Sequence, residues 1–379
     1  MSRPAVVVAY CRDFTTAFPG HPTALDTALR RAGWSVTAHH APDGTFPDGE
    51  LCVDLPEDPA GRTVVICQSV TGAGTPSDLS LMSLLATARC YREHGATRVI
   101  ALLPHLAYAR HDRRVPGERR PVMAGLLADL SAAAGLDAIV SLASGAEDLL
   151  QELFARTRTR LAFLPADGLR TGLIRPLLRD GTVLVAPDAG AAGQVGALAS
   201  ALELPLLVAD KRRTGPETVT VALHAPRGAG PVRHAVVVDD LITSAATVEQ
   251  VAAALRARDP DVAMDVVATH LRLTAPGTRR LERLLGTGVL RGVHTTDAAG
   301  HRPDVPGLTV SPAMPWLAPA LTDWLGTTAP LPPPVRKPAG PPDRTPAGQP
   351  ERKQDRTPER KPPAPPAGPE RKPLHDTHR

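Results

Sequence analysis

A chain of 379 residues with 42% hydrophobic content has enough apolar material to fill the cores of two domains. The formal charge of +4 belongs to the end of the chain: eleven of the 43 Lys/Arg but only six of the 39 Asp/Glu lie beyond residue 328, so the body is near neutral and nucleic-acid binding through net positive charge is excluded. No apolar run approaches the ~20 residues of a membrane span, no charged-then-apolar leader opens the chain, and Cys11, Cys52, Cys67 and Cys90 show no C-x-x-C pair and no companion His at metal-site spacing, so the expectation is a cytoplasmic protein with reduced thiols and no nucleic-acid or membrane partner.

In chain order, Ala5–Ala9 predicts a buried strand and Pro22–Ala32 a helix. Strands follow at Thr63–Cys67, Arg98–Leu103 and Ala138–Leu142, interleaved with helices near Leu79–His94, Pro121–Ala134 and Glu147–Ala155. After Leu164 the rhythm restarts. Strands are expected at Val183–Ala186, Leu206–Val208, Val219–Leu223, Ala235–Val238 and Val262–Ala268, with helices at Gly190–Leu202, Thr247–Arg258 and Trp316–Trp324. Such alternation implies parallel sheets covered by helices, here as two similar α/β domains, residues 1–160 and 161–309, with a last helix at 310–328 packing on the first. Residues 329–379, dominated by Pro, Gly and charge with Pro-Glu-Arg-Lys recurring at Pro350, Pro358 and Pro369, lack the apolar residues that offset the entropy of ordering and predict a disordered tail.

The most informative stretch is Ala235–Thr247, AVVVDDLITSAAT. A β-branched run ends in two adjacent carboxylates, Asp239 and Asp240, and passes through small and hydroxyl residues into a helix. At the carboxyl end of a parallel strand such a loop aims backbone N–H groups and a helix dipole at one point, where a phosphate can sit. Twin carboxylates beside it suit sugar hydroxyls or a polyphosphate's magnesium, although an ordinary buried strand with a capped helix has the same local pattern. Thr45–Glu50, TFPDGE, reads as a turn with an aromatic and two acids, and Ala107–Arg114, AYARHDRR, is a solvated face or an anion site after a strand. Val185–Gly190, VAPDAG, again ends a strand with an acid and a glycine, and Asp210–Arg213, DKRR, lies in a stretch rich in turn residues and able to move.

Together and in this order, these stretches make the chain from about Ala5 to Leu325 resemble the ribose-phosphate diphosphokinase family. The family's F-x-D-G-E is matched by Phe46, Asp48, Gly49 and Glu50, its Y-A-R-Q-D-R by Tyr108–Arg113 with His111 in place of Gln, its D-K-R-R by Asp210–Arg213, and its V-D-D-x-x-x-T-G-G-T in part by Val238–Thr247. The resemblance implies two type I phosphoribosyltransferase-like domains with the active site between them, transfer of the diphosphoryl group of ATP to the 1-hydroxyl of ribose 5-phosphate, a requirement for Mg2+, and a homo-oligomer. It further implies that Phe46, Asp48 and Glu50 from a neighbouring subunit hold the adenine and that Arg110 and His111 contact the nucleotide. Asp239 and Asp240 would bind the ribose hydroxyls, and Thr243, Ser244, Ala245, Ala246 and Thr247 the 5-phosphate. Asp188 would work on the metal side, and Lys211 and Arg213 would close over the reacting phosphates.

The chain also departs from the family. Ser141-Leu142-Ala143 stands where Asp-Leu-His supplies an imidazole to the metal, Ala245 and Ala246 replace paired glycines, and Gln194 replaces an arginine. A non-catalytic regulatory relative, or a phosphoribosyltransferase that consumes phosphoribosyl diphosphate, therefore stays open beside the kinase.

Overall fold

The computed structural model describes residues 5–71, 74–143, 145, 147–213, 219–224, 231–300 and 302–327, with the side chains of 211–213 and 219–221 left undescribed. The tail expected at 329–379 lies outside these residues.

The first lobe runs β1 (Ala5–Tyr10), α1 (Arg12–Ala17), α2 (His21–Arg31), β2 (Ser35–His40), β3 (Asp43–Thr45), β4 (Leu51–Val53), β5 (Thr63–Cys67), α3 (Ser77–Glu93), β6 (Arg98–Leu102), α4 (Met123–Ala134), β7 (Ala138–Leu142), α5 (Glu147–Phe154) and β8 (Arg160–Leu164). The second runs α6 (Asp167–Ile174), β9 (Thr182–Ala186), α7 (Ala192–Ala201), β10 (Leu206–Arg213), β11 (Val219–His224), β12 (His234–Ile242), α8 (Ala246–Arg258), β13 (Ala263–Leu271), α9 (Ala275–Gly286), β14 (Leu290–Thr296) and β15 (Leu308–Ser311), before α10 (Met314–Thr327).

Among the described residues the strands form a six-stranded sheet ordered β2-β1-β5-β6-β7-β8, a seven-stranded sheet ordered β11-β10-β9-β12-β13-β14-β15, and the small β3-β4 hairpin. All pairings in the first large sheet are parallel, and in the second only β10 with β11 is antiparallel. Strand alternation explains the layers. On β1, Val6, Val8 and Tyr10 face one buried core while Val7 and Ala9, with Cys11 just after the strand, face another. The core holding Val6 also takes in Leu184, Val236 and Val267 of the second sheet, so the two sheets share one interior. A third core, around Val237, Val251 and Met264, covers the outer face of the second sheet.

The expected division at 160/161 cuts β8, which pairs with β7 throughout, so the first sheet ends at Leu164. The edge strand β15 extends the second sheet beyond 309. From there α10 returns to the first lobe and packs against α2 and β8. Its Trp316 lies over Gly168 and Gly172 of α6, where a Cβ would come within 3.1 Å of the indole, so a side chain at either position would push the ring back.

A buried ion pair ties the lobes as well. His21 Nε2 on α2 lies 3.0 Å from Asp297 Oδ2, and Asp297, 1% exposed, also accepts from Ala313 N–H at 2.8 Å and from Arg302. Burial pushes the Asp297 carboxyl up, but the hydrogen bond and charge of His21, with the Ala313 N–H and the charge of Arg302, together outweigh it and hold the group below the usual carboxylate range. Its stabilising effect is therefore present above the unfolded value near pH 4 and is lost as pH falls through the lower, folded one. Asp297→Asn is expected to cost about 1.5 kcal/mol at pH 7 by urea unfolding, with a smaller difference from wild type at pH 3.

Candidate active site

In the second sheet β9 connects outward to β10 while β12 connects the other way to β13, so the order reverses between β9 and β12. Loops leaving two such strands diverge and open a crevice at their carboxyl ends. Asp188 follows β9, and Asp239 and Asp240 lie near the end of β12. The crevice opens into a cavity of about 1430 Å3 whose far wall comes from the first lobe, through His105–Arg113, Gly145 and Glu147.

Asp239 and Asp240 sit side by side, with the Asp240 N–H donating to Asp239 Oδ1 at 2.9 Å. Burial, then the charge of Asp240 and the hydrogen bonding within the pair, push Asp239 up to about 7, with Asp188 adding to the shift. Asp239 thus holds a proton near neutrality until something cationic or hydrogen-bond-donating reaches it. Asp240 lies against Gly145, where a Cβ would fall 2.8 Å from Oδ2. Asp188 Oδ1 accepts from Ala191 N–H at 3.0 Å, which folds the turn before α7 and keeps the carboxylate at the rim.

The loop Thr243–Ala246 enters α8 through Ala245, whose φ of +55° is left-handed. A loop built for glycine keeps its conformation although Ala carries a Cβ, at a strain of roughly 1 kcal/mol. The loop is braced from behind. Thr274 caps α9 by accepting from Gly277 N–H, and Gly277 sits so near the loop that a Cβ would be 2.2 Å from the Thr243 carbonyl oxygen. Arg280 donates to the Ser244 carbonyl at 2.9 Å while pairing with Glu249 at 3.1 Å.

From the first lobe, Arg110 Nη1 donates to Thr243 Oγ1 at 3.1 Å, crossing the cleft. Tyr108, left-handed at φ +62°, bonds Asp78, and Arg272 bonds the Thr71 carbonyl. His111 is exposed on the same wall.

Of the residues expected from sequence, Asp188, Asp239, Asp240, Thr243, Ser244, Arg110 and His111 line one cavity. Thr247 sits in the first turn of α8, behind the lining, with Ala245 and Ala246. Phe46, Asp48 and Glu50 do not reach the cavity. They form the tip of the β3-β4 hairpin, closed by Phe46 N–H to the Glu50 carbonyl at 2.8 Å, with Gly49 at φ +93° and Phe46 half exposed. The backbones of Lys211 and Arg213 lie on β10, paired with β11, and their side chains lie outside the described residues.

Three lining residues were not foreseen as site residues. Arg170 on α6, 1% exposed, bonds Thr269 Oγ1 at 2.9 Å; a lone buried arginine leaves no sequence pattern. His105 and His270 meet edge to face, ring centroids 4.6 Å apart, and burial lowers both imidazole pKa values, His270 to about 3, so both are neutral. No imidazole stands at Ala143 itself, which follows β7.

The family model described as "N-terminal domain of ribose phosphate pyrophosphokinase" matches residues 27–135, and that described as "Phosphoribosyl transferase domain" matches residues 171–282. The ribose-phosphate pyrophosphokinase of Chromobacterium violaceum is 31% identical over 252 residues, 65% of this chain and 72% of that protein. That of Caldanaerobacter subterraneus is 33% identical over 245 residues, 63% of this chain and 72% of that protein. The solved structure of phosphoribosylpyrophosphate synthetase from Mycobacterium smegmatis superposes with a TM-score of 0.68 at 27% identity, covering 85% of this chain and 99% of that one. The matching sequence and the superposed fold span both lobes, from whose residues the cavity is built, and the chain belongs to the ribose-phosphate pyrophosphokinase family.

Proposed function

We propose that this protein is a ribose-phosphate diphosphokinase, transferring the diphosphoryl group of ATP to the 1-hydroxyl of ribose 5-phosphate with release of AMP. The observation that carries the reading is the shared cavity: the Asp239-Asp240 pair with Thr243 and Ser244 on one side, the Tyr108–Arg113 segment on the other. The carboxylates accept from the ribose hydroxyls and fix the ring, which leaves the 1-hydroxyl facing the first-lobe wall. Holding that oxygen in line with the phosphorus is the main requirement, since displacement at phosphorus needs positioning and cations that meet developing charge.

Magnesium suits the donor set. Asp188 and the twin aspartates supply hard oxygens, and burial, then the repulsion among them, raises Asp239, which is the condition a cation relieves. Among the described residues no group of three or more His, Cys, Asp or Glu is arranged to hold a metal, so Asp188 would hold the ion together with nucleotide oxygens and water. When bound, it would neutralise the polyphosphate and make the attacked phosphorus more electrophilic. Lys211 and Arg213, at the end of β10, would meet the transferred group. Lys211→Ala is expected to lower turnover about a hundredfold with little change in ribose 5-phosphate affinity, checked by steady-state kinetics beside calorimetry.

The exposed Phe46 at a hairpin tip outside the cavity fits a contribution to a neighbouring subunit's adenine site in a homo-oligomer. No helix among the described residues is long and apolar enough to cross a membrane, and four free cysteines suit a cytoplasmic setting where ATP is available. Ala143 favours one second reading, a relative that binds these ligands and regulates an active partner. Purified protein with ATP, Mg2+ and ribose 5-phosphate separates them: AMP formed only with the sugar supports the kinase, and ligand binding without AMP supports the regulator.

A further inference from the structure

The proposed reaction leaves one buried charge unused, that of Arg170. The side chain is 1% exposed, and of its guanidinium N–H groups only that of Nε has an acceptor, Thr269 Oγ1 at 2.9 Å. Nη1 and Nη2 are buried and reach no hydrogen-bond acceptor among the described residues. Asp167 Oδ1 stands 3.7 Å from Nη1, beyond hydrogen-bond reach, and its side chain is 63% exposed, where water screens it. A guanidinium in that state is costly unless opposite charge holds it. Burial lowers the Arg170 pKa, while the charges of Asp167, Asp240, Glu147 and Asp239 raise it, so three of the four compensating carboxylates line the cavity. The neighbouring His270 adds no cation, since burial and then the charge of Arg170 lower it to about 3. Thr269 is fully buried and fixes the guanidinium by its Nε, so the charge stays beside the twin aspartates whether or not a ligand is bound.

We propose that Arg170 is the resident counter-ion of the Asp239-Asp240 pair, so that the ligand-free protein holds no divalent cation there and the metal enters the cavity together with its ligands. This deepens the proposed reaction and rests on it only in naming those ligands as ribose 5-phosphate and the nucleotide. Arg170 is a positioning residue: it touches no ligand and acts through the carboxylates. A divalent ion approaching the pair by itself meets a fixed positive charge in a site with little water to screen it. An ion that arrives among phosphate and hydroxyl oxygens brings its own compensation. The same logic fits the arrangement of acids, in which no three His, Cys, Asp or Glu among the described residues are set to hold a metal. It also fits Ala143, because a cation built into the chain needs no imidazole ligand.

Electron paramagnetic resonance of free Mn2+ tests this on the full chain, first with the metal alone and then with ribose 5-phosphate. Arg170→Met removes the charge at similar length, and thermal unfolding verifies its fold. It is expected to bind Mn2+ roughly tenfold or more tightly than wild type, with Arg170→Lys within about threefold of wild type, and Asp240→Asn added to Arg170→Met should abolish the gain. In wild type, ribose 5-phosphate is expected to tighten Mn2+ binding roughly tenfold. Equal Mn2+ affinity in wild type and Arg170→Met overturns the proposal, as does ribose 5-phosphate that binds without raising Mn2+ affinity. Should Arg170→Met fail to fold, wild type beside Asp240→Asn decides: equal Mn2+ affinity supports the counter-ion, and a wild-type site that Asp240→Asn destroys overturns it. Ribose 5-phosphate that does not bind at all is a failure of the proposed reaction instead, and the comparison with metal alone still decides on Arg170. None of these readouts needs turnover, so a protein that forms no AMP refutes the kinase and leaves the counter-ion standing.

Discussion

Asp239→Asn is expected to lower kcat/KM for ribose 5-phosphate about a thousandfold, because the carboxylate accepts from sugar hydroxyls in the proposed complex and the loss of two charge-assisted hydrogen bonds is worth about 4 kcal/mol. The same substitution should remove a pH dependence. Asp239 is pushed up to about 7, chiefly by burial and then by its neighbour Asp240, so in the ligand-free protein it holds a proton well above the unfolded value. Below about pH 4 the group is protonated whether the chain is folded or not, and it contributes nothing to the pH dependence of stability. As pH rises from about 4 to 7 the unfolded chain ionises first, so this group makes the ligand-free fold progressively less stable, and above 7 the loss levels off. Binding runs the other way: ribose 5-phosphate with Mg2+ selects the ionised pair, so affinity rises as pH climbs through 7, with proton release on binding. Titration calorimetry in two buffers of different ionisation enthalpy reads that proton, and it should vanish in Asp239→Asn.

Gly277→Ala should be nearly as damaging although residue 277 does not line the cavity. The added methyl would stand 2.2 Å from the Thr243 carbonyl oxygen, against backbone that cannot swing aside as a side chain could. Either α9 or the Thr243–Ala246 loop must move by about 1 Å, a displacement that costs on the order of a hundredfold where donors converge on a phosphate. The expected result is a hundredfold loss of ribose 5-phosphate affinity with ATP affinity kept, and a stability loss of about 2 kcal/mol by urea unfolding. Ribose binding provides the contrast: it should change little, since the twin aspartates sit on β12 and not on the displaced turn.

The fold was legible where burial imposes a pattern. The clearest cases are β5 and β7, apolar runs at Thr63–Cys67 and Ala138–Leu142 whose observed bounds coincide with the expected ones. Edge elements escaped notice. β2, SVTAHH, is half exposed and alternates too weakly to announce itself, and β15 has four residues with none fully buried. α9 opens with Ala-Pro-Gly and carries three arginines and a glutamate, a composition that reads as loop until Thr274 is seen to cap it. At the site, side chains borne by a local motif were found from sequence, as with Asp239 and Asp240. Arg170, His105 and His270 converge from three distant segments, and only tertiary structure brings such groups together. The departure at Ala245 also needed coordinates: the sequence shows only that alanine replaces a glycine, whereas the structure holds Ala245, 4% exposed, at the left-handed φ of +55°.

The return of α10 onto α2 works like a buckle on a belt. Because the chain's last described helix fastens to its second, and the sheets share an interior, prising the lobes apart to admit a ligand would tear apolar surface open to water. Traffic through this cleft therefore falls to the rim, and a protein cut at Leu164 into two halves would leave each with a greasy scar where the other had been.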